Sequence, residues 1–163
     1  RRIPERSTEA HNTLRLDERD SSEVWAEHRV GRRARITGVG KIPDGFTAEH
    51  DGYRPVIHRR GWRRLERVNG NGIEVEDELK GSGAHKVEMF WHFHPDCEVK
   101  LQEPGRVAIG EDLLLIYPPN RLTAELSDDF WSPEFGLTIP NRTLRLHYQG
   151  LLPVKLSVTI SEK

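Results

Sequence analysis

The histidines are the side chains of this sequence that point most directly to chemistry. In the stretch Trp-His-Phe-His-Pro-Asp, His92 and His94 lie two residues apart on a predicted strand, so their side chains face the same way. Strand-borne zinc sites use this spacing, but zinc needs at least a third ligand. The candidates for that ligand are His50, His58, His85, Asp96 and Glu98. The alternative to a metal site is a structural role for both histidines, and we favour it. One imidazole then packs against the core or accepts a backbone hydrogen bond, and the other lies at an interface.

A basic run at residues 58–67, His-Arg-Arg-Gly-Trp-Arg-Arg-Leu-Glu-Arg, suggests binding of a sulfated or uronic-acid polysaccharide. Guanidinium groups match the geometry of carboxylate and sulfate, and Trp62 offers a stacking face. Alternation along a strand weakens this hypothesis because it divides the arginines between two faces. The first face has Arg59, Gly61, Arg63 and Leu65, and the second has Arg60, Trp62, Arg64 and Glu66. A solvated face with cross-strand pairs to the acidic run at 74–78 is the favoured interpretation.

The sequence gives little support for a hydrolase nucleophile or a phosphate-binding loop in this chain. No serine lies in a Gly-x-Ser-x-Gly elbow, and Cys97 has no local signature of a nucleophile. No glycine-rich phosphate loop precedes a helix.

The elements that must position these residues are predicted to be strands. Apolar residues alternate or cluster at 13–18, 32–39, 55–68, 72–81, 85–94, 106–110, 112–118, 122–127, 143–150 and 153–161. Turn signals between them are Pro43-Asp44-Gly45, Asp51-Gly52, Asn69-Gly70-Asn71-Gly72, Gly81-Ser82-Gly83, Pro104-Gly105 and Pro118-Pro119-Asn120. Residues 21–33 favour a loop or a short strand, since Gly31 limits a helix there. About ten short strands predict an all-β antiparallel sandwich.

Composition narrows the class further. The chain of 163 residues is long enough for one domain with a core. A formal net charge of -1 gives no reason to expect a nucleic-acid partner. One cysteine excludes an internal disulfide, and we find neither a membrane-spanning run nor a signal-peptide pattern.

Several stretches, in this order, resemble the C-terminal β region of the heparinase II/III-like polysaccharide lyases. They occupy residues 6–36, with Ala-His-Asn-Thr and Arg-Val-Gly-Arg-Arg-Ala, and residues 48–62, 75–96, 131–146 and 150–160. The family joins an N-terminal α/α-toroid to a C-terminal β-sandwich. The resemblance implies that residues 1–163 are a single C-terminal domain, part of a larger super-sandwich, without the toroid.

Some members of that family hold a structural zinc with a His from a His-x-His-x-Asp stretch, an Asp before Pro-Gly and a later His. His11 resembles the last of these ligands. The stretch His-Phe-His-Pro-Asp at 92–96 comes later in the chain than the family's stretch, and no Asp-Pro-Gly is present. The resemblance therefore implies one ligand of an incomplete site, with zinc expected in the full-length protein and none in this chain. His92 and His94 remain the weaker alternative.

The family's reaction is β-elimination, in which polar groups neutralise the uronate carboxylate and a Tyr or His removes the C5 proton. No catalytic group of the family can be assigned to a residue here, since Tyr53, Tyr117 and Tyr148 lie in stretches without such a role. The chain alone is expected to be inactive and to act as cleft wall and metal-site scaffold. Asn12, Arg60 and Trp62 are weak candidates for binding substrate.

The partners implied are an acidic polysaccharide and the toroid of the same protein, and exposed sheet edges suggest an edge-strand dimer. The family implies the periplasm or cell surface of a bacterium. Two alternatives stay open. One is a non-catalytic carbohydrate-binding β-sandwich that uses Trp62 or Trp91 as a stacking platform, and the other is a metalloenzyme built on His92 and His94.

Overall fold

A computed structural model describes residues 5–26, 29–67 and 70–163, which form strands and one short 3-10 turn, Thr8–Ala10. The strands are β1 Leu14–Leu16, β2 Val24–Ala26, β3 Arg29–Val30, β4 Ile36–Ile42, β5 Gly45–Tyr53, β6 Val56–Arg67, β7 Gly70–His92, β8 Val99–Leu101, β9 Arg106–Ile109, β10 Leu113–Ile116, β11 Thr123–Trp131 and β12 Ile139–Glu162. No helix among these residues has the length and apolar character needed to cross a membrane.

Two long strands, β7 and β12, organise the sheet by pairing antiparallel over most of their length. The first half of β7 also pairs with β6 and its second half with β1, while β12 pairs with β11 at its start and with β10 at its end. The main order of strands is β4-β5-β6-β7-β12-β10-β9-β8. β2 and β3 form a separate hairpin.

The prediction of a turn at Gly81–Gly83 is wrong, because β7 runs through it and β12 likewise runs through Pro153. Leu152 lies opposite Gly83 and Val154 lies opposite Leu79, so the register shifts there. A bulge accommodates a proline that cannot donate to the ladder, and Gly83 adopts a φ of 95°. The glycines that predicted a turn therefore mark a bulge inside β7, opposite Pro153 of β12.

The chain between residues 45 and 72 also differs from expectation. β5 was not predicted, and Asp51-Gly52 lies in its last residues while the turn follows at residues 54–55. Gly70, Asn71 and Gly72, which were predicted as part of a turn, pair within β7, and the first residue of that predicted turn, Asn69, lies outside the described residues. β5 was missed because it contains Gly, Ala, Glu and Asp, which are depleted in strands, and it forms here through pairing with β4 and β6.

The sandwich core is one apolar cluster drawn from alternate residues of the strands. On β7, Val75, Leu79, Val87 and Met89 point into it and are at most 5% exposed. Other members are Leu14, Leu16, Val107, Leu115, Leu144, Leu146, Leu156 and Val158. The prediction of an all-β antiparallel sandwich is confirmed.

The predicted division of the basic run is confirmed at Arg59, Arg60 and Arg63, whereas Arg64, which was assigned to the face of Arg60, is exposed. Arg60 is 7% exposed and points inward, whereas Arg59 and Arg63 lie on the outer face. The Arg59 guanidinium is 3.7 Å from the Glu78 carboxylate, and Arg63 pairs with Glu74. Cross-strand ion pairs therefore occupy the outer arginines of β6.

Truncating a core leucine of β12 tests this packing. Leu146 is fully buried, and Leu146→Ala is expected to lower the free energy of unfolding by about 2–5 kcal/mol because it leaves a cavity. Leu151→Ala is the matched control on the same strand, since Leu151 is 69% exposed, and it should change stability by less than about 0.5 kcal/mol. Denaturant unfolding measures both, and equal losses would contradict the packing.

Candidate functional site

The His11-Asn12 loop joins the 3-10 turn to β1 and combines a fixed backbone with a free imidazole. The His11 N–H donates to the Thr8 carbonyl oxygen at 3.3 Å, and the Thr13 N–H donates to the His11 carbonyl oxygen at 2.8 Å. The His11 ring is exposed and makes no hydrogen bond within the described part of the chain. Its nitrogens are therefore available to a ligand.

Asn12 anchors this loop to two strands at once. Its carbonyl oxygen accepts a hydrogen bond from Arg60 on β6, and its side-chain oxygen accepts the His92 N–H of β7 at 2.7 Å. The structure thus brings together Asn12 and Arg60, two of the three residues predicted to bind substrate. Both are occupied in holding the loop.

A buried ion pair lies beneath the loop. Arg60 donates from Nε and Nη2 to the two carboxylate oxygens of Asp77, each at 2.7 Å. His58 Nε2 lies 2.6 Å from the same carboxylate, which is fully buried. Burial alone would raise the pKa of Asp77, but the charge of Arg60 and the hydrogen bond from His58 outweigh it and lower the pKa to about 2. Asp77 is therefore ionised at neutral pH.

The hydrogen-bond chain continues from His58 to His50 and fixes the tautomer of both rings. His50 Nδ1 accepts the Gly52 N–H at 3.1 Å, so His50 Nε2 carries the hydrogen and donates to His58 Nδ1 at 2.9 Å. His58 Nε2 then donates to Asp77. Burial and, next, the neighbouring His58 lower the pKa of His50 to about 4. His50 is therefore neutral at neutral pH, as its acceptor role requires.

His92 and His94 occupy different surroundings. His92 Nε2 donates to the Glu9 carbonyl oxygen and Nδ1 contacts the Thr143 hydroxyl, both at 2.8 Å. His94 follows the end of β7, where its ring lies 5.1 Å from that of Trp131. In residues 5–26, 29–67 and 70–163, no three His, Cys, Asp or Glu side chains could together hold a metal ion. Among these described residues, no third ligand joins His92 and His94.

The tryptophans suggested as stacking platforms are packing residues. Trp91 is 8% exposed and belongs to the core. Trp62 is half-buried against the core, and its ring stacks on Phe46 with 4.7 Å between centroids. Trp91 is thus buried, and the Phe46 ring stacks on Trp62.

Sequence reasoning missed Asp77 and Tyr53 as residues that support the loop. Tyr53 is 2% exposed and donates its hydroxyl to the Leu14 carbonyl oxygen at 2.6 Å. The burial of Asp77 could have been predicted from the alternation Val75-x-Asp77-x-Leu79, because it places the carboxylate on the same face as two apolar residues. In the structure this residue lies opposite Arg60.

Removing the buried carboxylate should leave Arg60 as an uncompensated charge. Asp77→Ala is expected to cost roughly 3–5 kcal/mol of unfolding free energy. Glu74→Ala removes a carboxylate from the same strand but on the outer face, where an ion pair contributes less than about 1 kcal/mol. Denaturant unfolding of the two variants compares them, and a small loss for Asp77→Ala would contradict the network.

The lowered pKa of His50 should make stability depend on pH. The unfolded chain binds a proton at His50 near pH 6.5 and the folded chain only near about 4, so the unfolded state holds the extra proton between them. The stability that a neutral His50 contributes is therefore fully present above pH 6.5, and it is lost as the pH falls from 6.5 towards about 4. His50→Gln cannot titrate, and its unfolding free energy should fall less over the same window. Parallel pH profiles for the two proteins would contradict a neutral His50.

Solved structures resemble this fold over nearly the whole chain. Heparan sulfate lyase HepC from Pedobacter heparinus, as a mutant, matches with a TM-score of 0.69 at 15% identity, and the match covers 99% of this chain and 25% of that chain. A heparinase III with methylated lysines matches with a TM-score of 0.68 at 16% identity, over 99% of this chain and 24% of that chain. The chain thus spans about a quarter of the length of these structures. Among curated proteins, none matches this sequence.

The sequence itself matches a family model. The model is described as heparinase II/III-like, C-terminal, and it matches residues 1–160. This span includes the His11-Asn12 loop and the strands that hold it. The chain therefore belongs to the heparinase II/III-like family and corresponds to its C-terminal region.

Proposed function

We propose that this chain is the C-terminal domain of a polysaccharide lyase that cleaves uronic-acid-containing glycans by β-elimination. In this proposal the domain forms one wall of the cleft and supplies one ligand to a metal site. Family membership supports the class of enzyme. The observation that carries the local role is the exposed, unbonded His11 imidazole on a backbone held by Arg60, Asp77 and His92.

The elimination itself is assigned to the rest of the longer protein, including an N-terminal toroid. Tyr53 is unsuited to remove a proton, because burial raises the pKa of its hydroxyl and that hydroxyl donates to a carbonyl. Tyr117 is 7% exposed, and the Tyr148 hydroxyl donates to the Leu151 carbonyl oxygen at 3.0 Å. The isolated chain is therefore proposed to be inactive.

Zinc is proposed as the metal of the complete protein. A neutral imidazole is a common zinc ligand, and His11 fits that role as a single donor. Within the described residues no cluster of ligands completes the site, so the remaining ligands are assigned to the preceding part of the protein. Bound there, zinc would fix the loop relative to that part and to the substrate cleft.

The proposed setting is the periplasm or surface of a bacterium, where long acidic polysaccharides are encountered. Sheet edges provide a second contact. β4 ends the main sheet, and its Ile36 and Val39 are each 74% exposed. Such an edge fits either the preceding part of the protein or a second copy of the chain.

The test replaces His11 in the full-length protein. His11→Ala is expected to lose bound zinc, measured by elemental analysis, and to lose turnover, measured by the ultraviolet absorbance of the unsaturated uronate product. His147→Ala is the matched control, because His147 lies on β12 and pairs with Glu125. The isolated chain should hold no stoichiometric zinc. Full zinc content in the His11→Ala protein would overturn the ligand role.

A further inference from the structure

Trp25 presents an aromatic surface that no proposed role of the domain uses. It lies on β2, in the small β2–β3 hairpin, and is 69% exposed. Its ring lies against Gly31, where an added Cβ would come within 2.6 Å of Cζ2 and 2.7 Å of Cε2. The absence of a side chain at residue 31 therefore allows the indole to lie against the backbone, while most of the side chain remains open to solvent.

Two exposed arginines belong to the same hairpin region as this ring. Arg29 lies on β3, and Arg33 follows Gly31 by two residues. Both are exposed, and neither forms an ion pair within the described parts of the chain. On β6, by contrast, the outer arginines Arg59 and Arg63 pair with glutamates. Among the described residues, this hairpin region thus combines an exposed aromatic ring with two exposed arginines that form no ion pair.

Hydrogen bonds order the backbone of the hairpin, and Arg32 attaches it to the sandwich. The Glu23 N–H donates to the Arg32 carbonyl oxygen at 2.8 Å, and the Gly31 N–H donates to the Glu23 carbonyl oxygen at 2.7 Å. The Arg32 side chain donates to the Gly52 carbonyl oxygen of β5 at 2.7 Å. A backbone that is already ordered loses less conformational entropy when a ligand binds.

We propose that Trp25, Arg29 and Arg33 form a binding site for an acidic oligosaccharide. The apolar face of a sugar ring stacks on the indole, and the arginines hold uronate carboxylates by charge-assisted hydrogen bonds. Exposed aromatic area alone would suit a protein surface equally well, but exposed cations in the same hairpin region favour an anionic, ring-shaped ligand. The chemical class rests on the proposed function, and the site lies on a hairpin separate from the His11-Asn12 loop.

Isothermal titration calorimetry of the chain with a polyuronate octasaccharide tests the site. Trp25→Ala is expected to weaken binding by at least about ten-fold, as for a tryptophan that dominates an interface. Trp131→Ala is the matched control, since Trp131 is 39% exposed on β11 and should leave binding unchanged. A neutral octasaccharide, maltooctaose, should bind far more weakly. Equal affinities of wild type and Trp25→Ala would overturn the proposal.

Two further variants separate a binding site from a structural surface. Arg33→Gln should weaken binding, and its difference from wild type should shrink as salt is raised, because salt screens exposed charges. Gly31→Ala should weaken binding by displacing the indole, with the far-ultraviolet circular dichroism of the chain retained. If Trp25→Ala instead lowers only the thermal stability of the full-length protein and leaves binding intact, the hairpin is a docking surface within the protein and the proposal is overturned.

Turnover separates this proposal from the proposed function. If the full-length protein performs β-elimination and Trp25→Ala leaves polyuronate affinity unchanged, the binding site is refuted and the lyase assignment stands. If the full-length protein shows no elimination but Trp25→Ala abolishes polyuronate binding, the lyase assignment fails and the binding site stands.

Discussion

The buried ion pair of Arg60 with Asp77 is the interaction on which the arrangement of this domain's N-terminal loop depends. Desolvating two charges costs free energy, and the cost is offset here by bidentate geometry and by the hydrogen bond from His58. Arg60 has a third contact, the Asn12 carbonyl oxygen. A charge pair between neighbouring strands therefore also fixes a loop that precedes both of them in the chain.

β7 connects the two anchors of that loop. Its first half carries Asp77, which holds Arg60, and its last residue is His92, whose N–H binds the Asn12 side chain. The bulge at Gly81–Gly83 separates these halves and shifts the register between them. One long strand therefore holds Asn12 at two atoms, the side-chain oxygen directly through His92 and the carbonyl oxygen through Arg60.

The parts of the fold that were predictable follow from local alternation. The inward position of Arg60 and the outer pairs of Arg59 and Arg63 follow from the two-residue period of a strand. Strand continuity through Gly81–Gly83 was not predictable, because the same glycines serve turns and bulges and only the partner strand decides between them. Likewise, no local pattern shows that Trp25 is exposed while Trp91 is buried, since exposure depends on which strands cover each ring.

The pairing of β7 with β12 sets the order in which the domain can form. β12 follows every other strand in the chain, yet it is a central neighbour of β7, with Thr143 opposite His92 and Ser161 opposite Gly72. Contacts between such distant parts of a sequence close late and slow folding. During synthesis, β7 therefore emerges well before its partner and exposes unpaired backbone until β12 is made. The edge of β7 that faces β12 can therefore complete its hydrogen bonds only once the last strand of the domain is available.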